Sequence, residues 1–198
     1  MATALPHAVA AIALTVVLAM GLGPGATTAG TDQSTTSGLS SEQAALAEWA
    51  LGLFDEAGLA LPPVQFVAHS TGEGCLGRAG AHVHRDGRSI ISICTADTGP
   101  TEEFLYLHEL AHAWDRQALS DERRRDFLEA RGLDHWRSED AEWHERGAEQ
   151  AAEIVVWGLM DRPIRSIRIG DHSCAQLRAG YLLLTGEEPL HGYTDYCA

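Results

Sequence analysis

Residues 101–118 read TEEFLYLHELAHAWDRQA. Thr101 suits a helix N-cap, and Glu102 and Glu103 complement the positive end of a helix dipole. Phe104, Leu107, Ala111 and Trp114 recur at three- and four-residue spacing and form one apolar stripe. A helix from Glu102 to about Ala118 is predicted, with Pro100 closing the segment before it. Upstream, Ser41–Ala57 carries Ala45, Trp49, Leu53 and Ala57 on one helical face, and Gly58 provides a stop. Pro62-Pro63 breaks the chain before a short strand at Val64–Ala68. Ala81–Arg85 and Arg88–Cys94 flank Asp86-Gly87, a hairpin signal. Downstream, Ser120 caps a helix that Gly132 ends. A third helix covers roughly Glu142 to Met160, and a last one runs from about Ser173 to Leu184 and stops at Gly186. Strands first and then mainly helices predict an α+β domain. Its small sheet of about three strands packs with the 102–118 helix and the later helices.

Within the deciding helix, His108-Glu109-Leu110-Ala111-His112 is an H-E-x-x-H motif. Residues four apart sit about 40° apart around a helix, so both imidazoles project from one face, one turn apart. Both ring nitrogens can then reach one Zn2+ at about 2.0–2.1 Å. Glu109 lies about 100° from His108 and about 60° from His112, still on the metal side. It is poorly placed to ligate but can take a proton from water that the metal has acidified.

A catalytic zinc needs a third protein ligand. Glu149 is the strongest candidate, with Glu153 one turn later on a mostly apolar helix. Two carboxylates there are costly unless something cationic meets them. Glu149 would ligate, and Glu153 would accept the free N–H of a ligating His. Glu145 and His144 compete for the ligand role.

His108-Glu109-x-x-His112 followed by Glu149-x-x-Ala152-Glu153 resembles the zincin metallopeptidases of the gluzincin type. The stretch His108–Trp114 with Arg146–Glu153 is also similar to small secreted metallopeptidases of actinobacteria. The resemblance covers residues 101–157. It implies a compact zincin-like domain, with His108, His112 and Glu149 as Zn2+ ligands. Glu109 would be the general base and Glu153 the partner of His108. It implies a peptide or protein substrate lying along an edge strand, for which Ser89–Cys94 is the candidate. His135, His144, Tyr106 and Tyr193 are the candidates for stabilising the oxyanion. The chain departs from the pattern in three places. Glu153 stands where Asp is commoner, Ala148 replaces a frequent Asn, and Asp115 and Ala118 stand where metzincins carry Gly and a third His.

The rest of the chain sets the context. Its 198 residues carry 28 acidic and 14 basic side chains, all of the latter Arg, for a net charge of −14. That balance argues against a nucleic-acid partner or an anionic membrane. Residues 1–29 contain no charged side chain, and Ala8–Leu22 is an apolar run too short to span a bilayer. The expectation is a signal peptide at 1–29, a flexible Gly/Ser/Thr linker at 30–40 and the catalytic domain at 41–198. A secreted monomer with no stable membrane association follows, with an uncleaved anchor as the alternative. Four Cys in an exported chain imply two disulfides, and the local pairings Cys75–Cys94 and Cys174–Cys197 are preferred. His82 and His84 are read as solvent-facing hairpin positions, Trp136, Trp143 and Trp157 as core, and Arg123–Arg125 as a solvated face. The functional expectation is a secreted zinc endopeptidase. The alternative is a zinc-binding, non-proteolytic protein of the same fold.

Overall fold

The structure, a computed structural model, describes residues 35–70, 72–162, 168–169 and 172–192. These residues belong to one compact unit, Asp32–Ala198. The segment expected to be a signal peptide and the residues Tyr193 and Cys197 lie outside the described residues.

The chain forms β1 (Thr35–Ser37), α1 (Ser41–Glu56), β2 (Val64–Ala68), β3 (Gly80–Arg85) and β4 (Arg88–Ile93). Four helices follow: α2 (Pro100–Ala118), α3 (Asp121–Arg131), α4 (Gly147–Leu159) and α5 (Cys174–Thr185). This is the α+β domain expected, but with four strands in the order β1-β2-β4-β3. β1 pairs with β2 and β2 with β4 in parallel, while β3 and β4 form the antiparallel hairpin. β1 corrects the reading of residues 30–40 as linker throughout. It is three exposed polar residues, held at the sheet edge by backbone pairing alone, so no hydrophobic alternation announces it. The hairpin turns at Asp86 and Gly87, both with positive φ (52° and 73°), as a two-residue type I′ turn requires.

Strand order also corrects the proposed substrate strand. Ser89–Cys94 is not an edge, because β4 lies between β2 and β3. The free edge on that side is β3, which packs beside α2.

Helix limits follow from their caps. Ser40 caps α1 in a capping box with Gln43, and Ser120 caps α3. Gly132 and Gly186 end α3 and α5 in the left-handed conformation. α2 starts earlier than Thr101 would place it: Gly99 is the N-cap and Pro100 the first residue. Proline at that position has its φ preset and lacks only an N–H that would have no helical partner. The helix expected from Glu142 starts only at Gly147. Trp143–Glu145 form a separate 3-10 turn, and the backbone N–H groups of Gly147 and Ala148 donate to the carbonyls of His135 and Trp136.

α4 is the central helix, buried at every position except Glu149. Its Ile154, Val155, Val156 and Leu159 join Leu107, Leu110, Phe54, Phe66, Ile91 and Ile93 in one core. Each such side chain contributes about 1.5–3 kcal/mol by burial. α5 approaches so closely that a Cβ on Gly158 would sit 2.2 Å from the Tyr181 ring. Cys75–Cys94 is a disulfide, tying the turn before β3 to the end of β4. The second expected pairing involves Cys197, outside the described residues.

Tyr181 permits a stability prediction. Among the described residues its buried hydroxyl has no hydrogen-bond partner, and burial, with the Glu187 charge adding, pushes the phenol up to about 12. Tyr181→Phe should stabilise the fold by about 1 kcal/mol near neutral pH, because it removes an unsatisfied polar group. With a folded pKa above the unfolded value of about 10, the wild type keeps its full stability below pH 10 and loses some as pH rises toward 12. The Phe variant lacks that loss. Urea melts of both proteins at pH 7 and pH 11 test this; a less stable variant at pH 7 would refute the orphan-hydroxyl account.

Candidate metal centre

α2 presents His108 and His112 one turn apart, and the first turn of α4 brings Glu149 to the same point. His108 Nε2 lies 3.1 Å from Glu149 Oε2, His112 Nε2 lies 3.3 Å from the same oxygen, and the two Nε2 atoms are 3.1 Å apart. Three donors bound tetrahedrally at about 2.0–2.1 Å would sit about 3.3 Å from one another. The group could therefore hold a metal ion. Glu149 sits where the helix dipole favours a negative charge.

Glu149 and His112 shift one another's titration. Burial alone would raise the Glu149 carboxyl, but the hydrogen bonds and charges of His108 and His112 outweigh it and hold the group well below the usual carboxylate range. Burial alone would likewise lower His112. Its hydrogen bond to Glu149, with the charges of Glu149, Glu109 and Asp115, lifts it above the ordinary imidazole value instead.

The imidazole of His108 lies against two aromatic rings. Phe104 stacks at 5.8 Å and Trp143 at 6.0 Å, and the Arg168 guanidinium covers the Trp143 ring at 4.4 Å. Trp143, read from sequence as core, is thus part of the wall that fixes a donor.

Glu109 is buried and does not join the three donors. Its Oε1 lies 3.2 Å from where a Cβ on Gly80 would be, so the absence of a side chain at the start of β3 makes room for the carboxylate. Its charge reaches His112.

Glu153 is fully buried and within electrostatic reach of His108, but the expected hydrogen bond between them is not formed. His108 Nδ1 is buried with no partner among the described residues. Arg168 draws the carboxylate instead: its backbone N–H donates to Oε2 at 3.2 Å, and its Nε lies 3.4 Å from Oε1. Burial pushes the Glu153 carboxyl up, against the opposing charges of His108 and Arg168.

The competing ligand candidates stand apart. Glu145 is exposed and accepts the Glu142 backbone N–H in the 3-10 turn, and His144 is exposed. Of the oxyanion candidates, His135 is exposed and Tyr106 is buried against Phe66. His82 departs from its solvent-facing reading. Its ring lies parallel to His112 at 6.5 Å and meets Ser89 Oγ at 3.0 Å; burial, with the charges of His112 and Arg137, lowers it to about 3.

Sequence reading missed Asp115, buried one turn beyond His112. It accepts from Arg124 Nε (3.1 Å), Arg137 Nη2 (2.6 Å) and Trp136 Nε1 (3.3 Å). Arg124 also donates to the Asp115 carbonyl at 2.8 Å, so the Arg123–Arg125 run is not simply a solvated face. The available signal was a carboxylate next to Trp114, on the apolar side of α2. Among the described residues, no helix is long and apolar enough to cross a membrane. Compared with known protein families, curated sequences and solved structures, the chain matches none.

Proposed function

We propose that the protein is a zinc metallopeptidase that hydrolyses peptide bonds. The observation that carries this reading is the convergence of His108 Nε2, His112 Nε2 and Glu149 Oε2 within 3.1–3.3 Å, with a buried fourth group, Glu109, beside it. Two imidazoles and one carboxylate suit Zn2+ and leave a coordination position for substrate or water. When bound, zinc polarises a carbonyl and makes water a competent nucleophile near neutral pH.

The chain's own residues supply the rest. Glu109 takes the proton from the attacking water and passes it to the leaving amine. Its place outside the donor group leaves its carboxylate available for that transfer. Phe104 and Trp143 keep the His108 ring in one orientation, so the donors are arranged before substrate arrives. Glu153, engaged by Arg168, stays within electrostatic reach of His108 without bonding to it. The Cys75–Cys94 disulfide and the apolar run Ala8–Leu22 together favour an exported enzyme.

The test is metal analysis and hydrolysis on one sample. The purified chain should carry one zinc and cleave casein or a fluorogenic peptide library. Chelation should stop cleavage, and added Zn2+ should restore it. Cleavage that survives complete metal removal, or a metal-loaded chain that cleaves nothing, would overturn the reading.

A further inference from the structure

We propose that the cavity beside His112 and Glu149 is a subsite for a carboxylate of the substrate, bound by Arg137 and Arg146. This rests on the peptidase reading. The cavity has a volume of about 230 Å³, and its wall includes His112, Glu149, Arg137, Ser138, Glu139 and Arg146. Two donors of the metal group form part of that wall, so an occupant lies next to the reacting centre. The volume suits one side chain or chain terminus and falls below that of pockets for drug-sized ligands.

Charge gives the occupant its sign. The protein has twice as many acidic as basic side chains, yet two of its 14 Arg line this one cavity. Of the two carboxylates in the wall, Glu149 is engaged by both imidazoles, which leaves Glu139 there; behind the wall, Asp115 is shared between Arg124 and Arg137.

Both guanidiniums are anchored and still have donors to offer. Arg137 is tied through Nη2 to buried Asp115 at 2.6 Å. Arg146 donates from Nε and Nη2 to the Ala141 carbonyl at 2.9 and 2.7 Å, and from Nη2 to the Glu139 carbonyl at 3.4 Å. Among the described residues, Nη1 of each makes no hydrogen bond, nor does Nε of Arg137. A guanidinium has five N–H donors and pairs best with a planar oxyanion such as carboxylate. Held in place beforehand, it loses less entropy on binding. Asp115 is therefore a positioning residue, linking α2 to the wall of the subsite.

A carboxylate comes either from an Asp or Glu side chain or from the substrate's C-terminus. Fluorogenic peptides with Glu or Gln scanned across the positions flanking the cleaved bond, each made as C-terminal acid and amide, separate the two. The zinc-loaded wild type should favour the carboxylate member of one pair at least tenfold in kcat/KM. In Arg137→Gln and Arg146→Gln that ratio should fall toward one, through KM more than kcat. Equal rates for every pair in the wild type, or a ratio that survives both substitutions, would overturn the subsite. If Arg146→Gln fails to fold, because Arg146 also ties the 139–141 loop, Arg137→Gln decides alone. Fluorescence anisotropy of the same peptides on zinc-loaded Glu109→Gln protein gives a readout free of turnover. A peptide set that is bound with the carboxylate preference but never cleaved would sink the peptidase reading and keep the subsite. Cleavage without preference does the reverse.

Discussion

Glu109→Gln should lower kcat by about 10²–10⁴-fold while one zinc remains bound per chain. Glutamine has nearly the same shape as glutamate, so it can occupy the space that Gly80 leaves beside the carboxylate. It cannot accept a proton to carry to the leaving amine. Glu109 lies outside the group formed by His108, His112 and Glu149, so metal content should not change. Steady-state kinetics and metal analysis on the same preparation check both halves. Undiminished kcat would remove Glu109 from the reaction, and loss of zinc would make it a ligand.

The second large effect is expected at Glu149. Replacement by Gln should weaken zinc binding by more than about 100-fold, since changes behind a ligand alone commonly cost 10–100-fold. Glu149 is the one anionic member of the donor group, and its oxygen faces both imidazole nitrogens. An amide keeps an oxygen donor but loses the charge that balances the cation. Competition against a chromophoric chelator measures the change. An affinity equal to that of the wild type would place the metal elsewhere.

Most of the fold was legible where one residue's chemistry dictates local geometry. Asp86-Gly87 marked the hairpin, Ser120 the start of α3, and Gly132 and Gly186 the ends of α3 and α5, while the cap of α1 is Ser40, one residue before the Ser41 that the sequence suggested. The His-Glu-x-x-His spacing gave two of the three donors because helical periodicity alone fixes it. Glu149 was harder, being 37 residues beyond His112, and only its place on an apolar helix marked it. Features set by tertiary packing were not legible. Strand order is one, since nothing local in Ser89–Ile93 says that β2 will pair on its other side. The partner of Glu153 is another, because Arg168 reaches it from 15 residues away. Asp115 was missed for the same reason: its three side-chain partners come from α3 and the segment after it.

The Cys75–Cys94 disulfide and the donor group can also be viewed as two fasteners that each close a loop of the folded chain. The disulfide spans 19 residues, and a metal joining His112 to Glu149 would span 37. Loop-closure entropy grows only logarithmically, so the nearly doubled span changes the cost by about 0.6 kcal/mol. The first fastener clips the sheet end near the start of β3, while the second draws α2 against α4. They constrain different, non-overlapping stretches of the polymer. Reduction and metal removal should therefore act as separable releases, the first enlarging the denatured ensemble and the second withdrawing binding free energy from the native state.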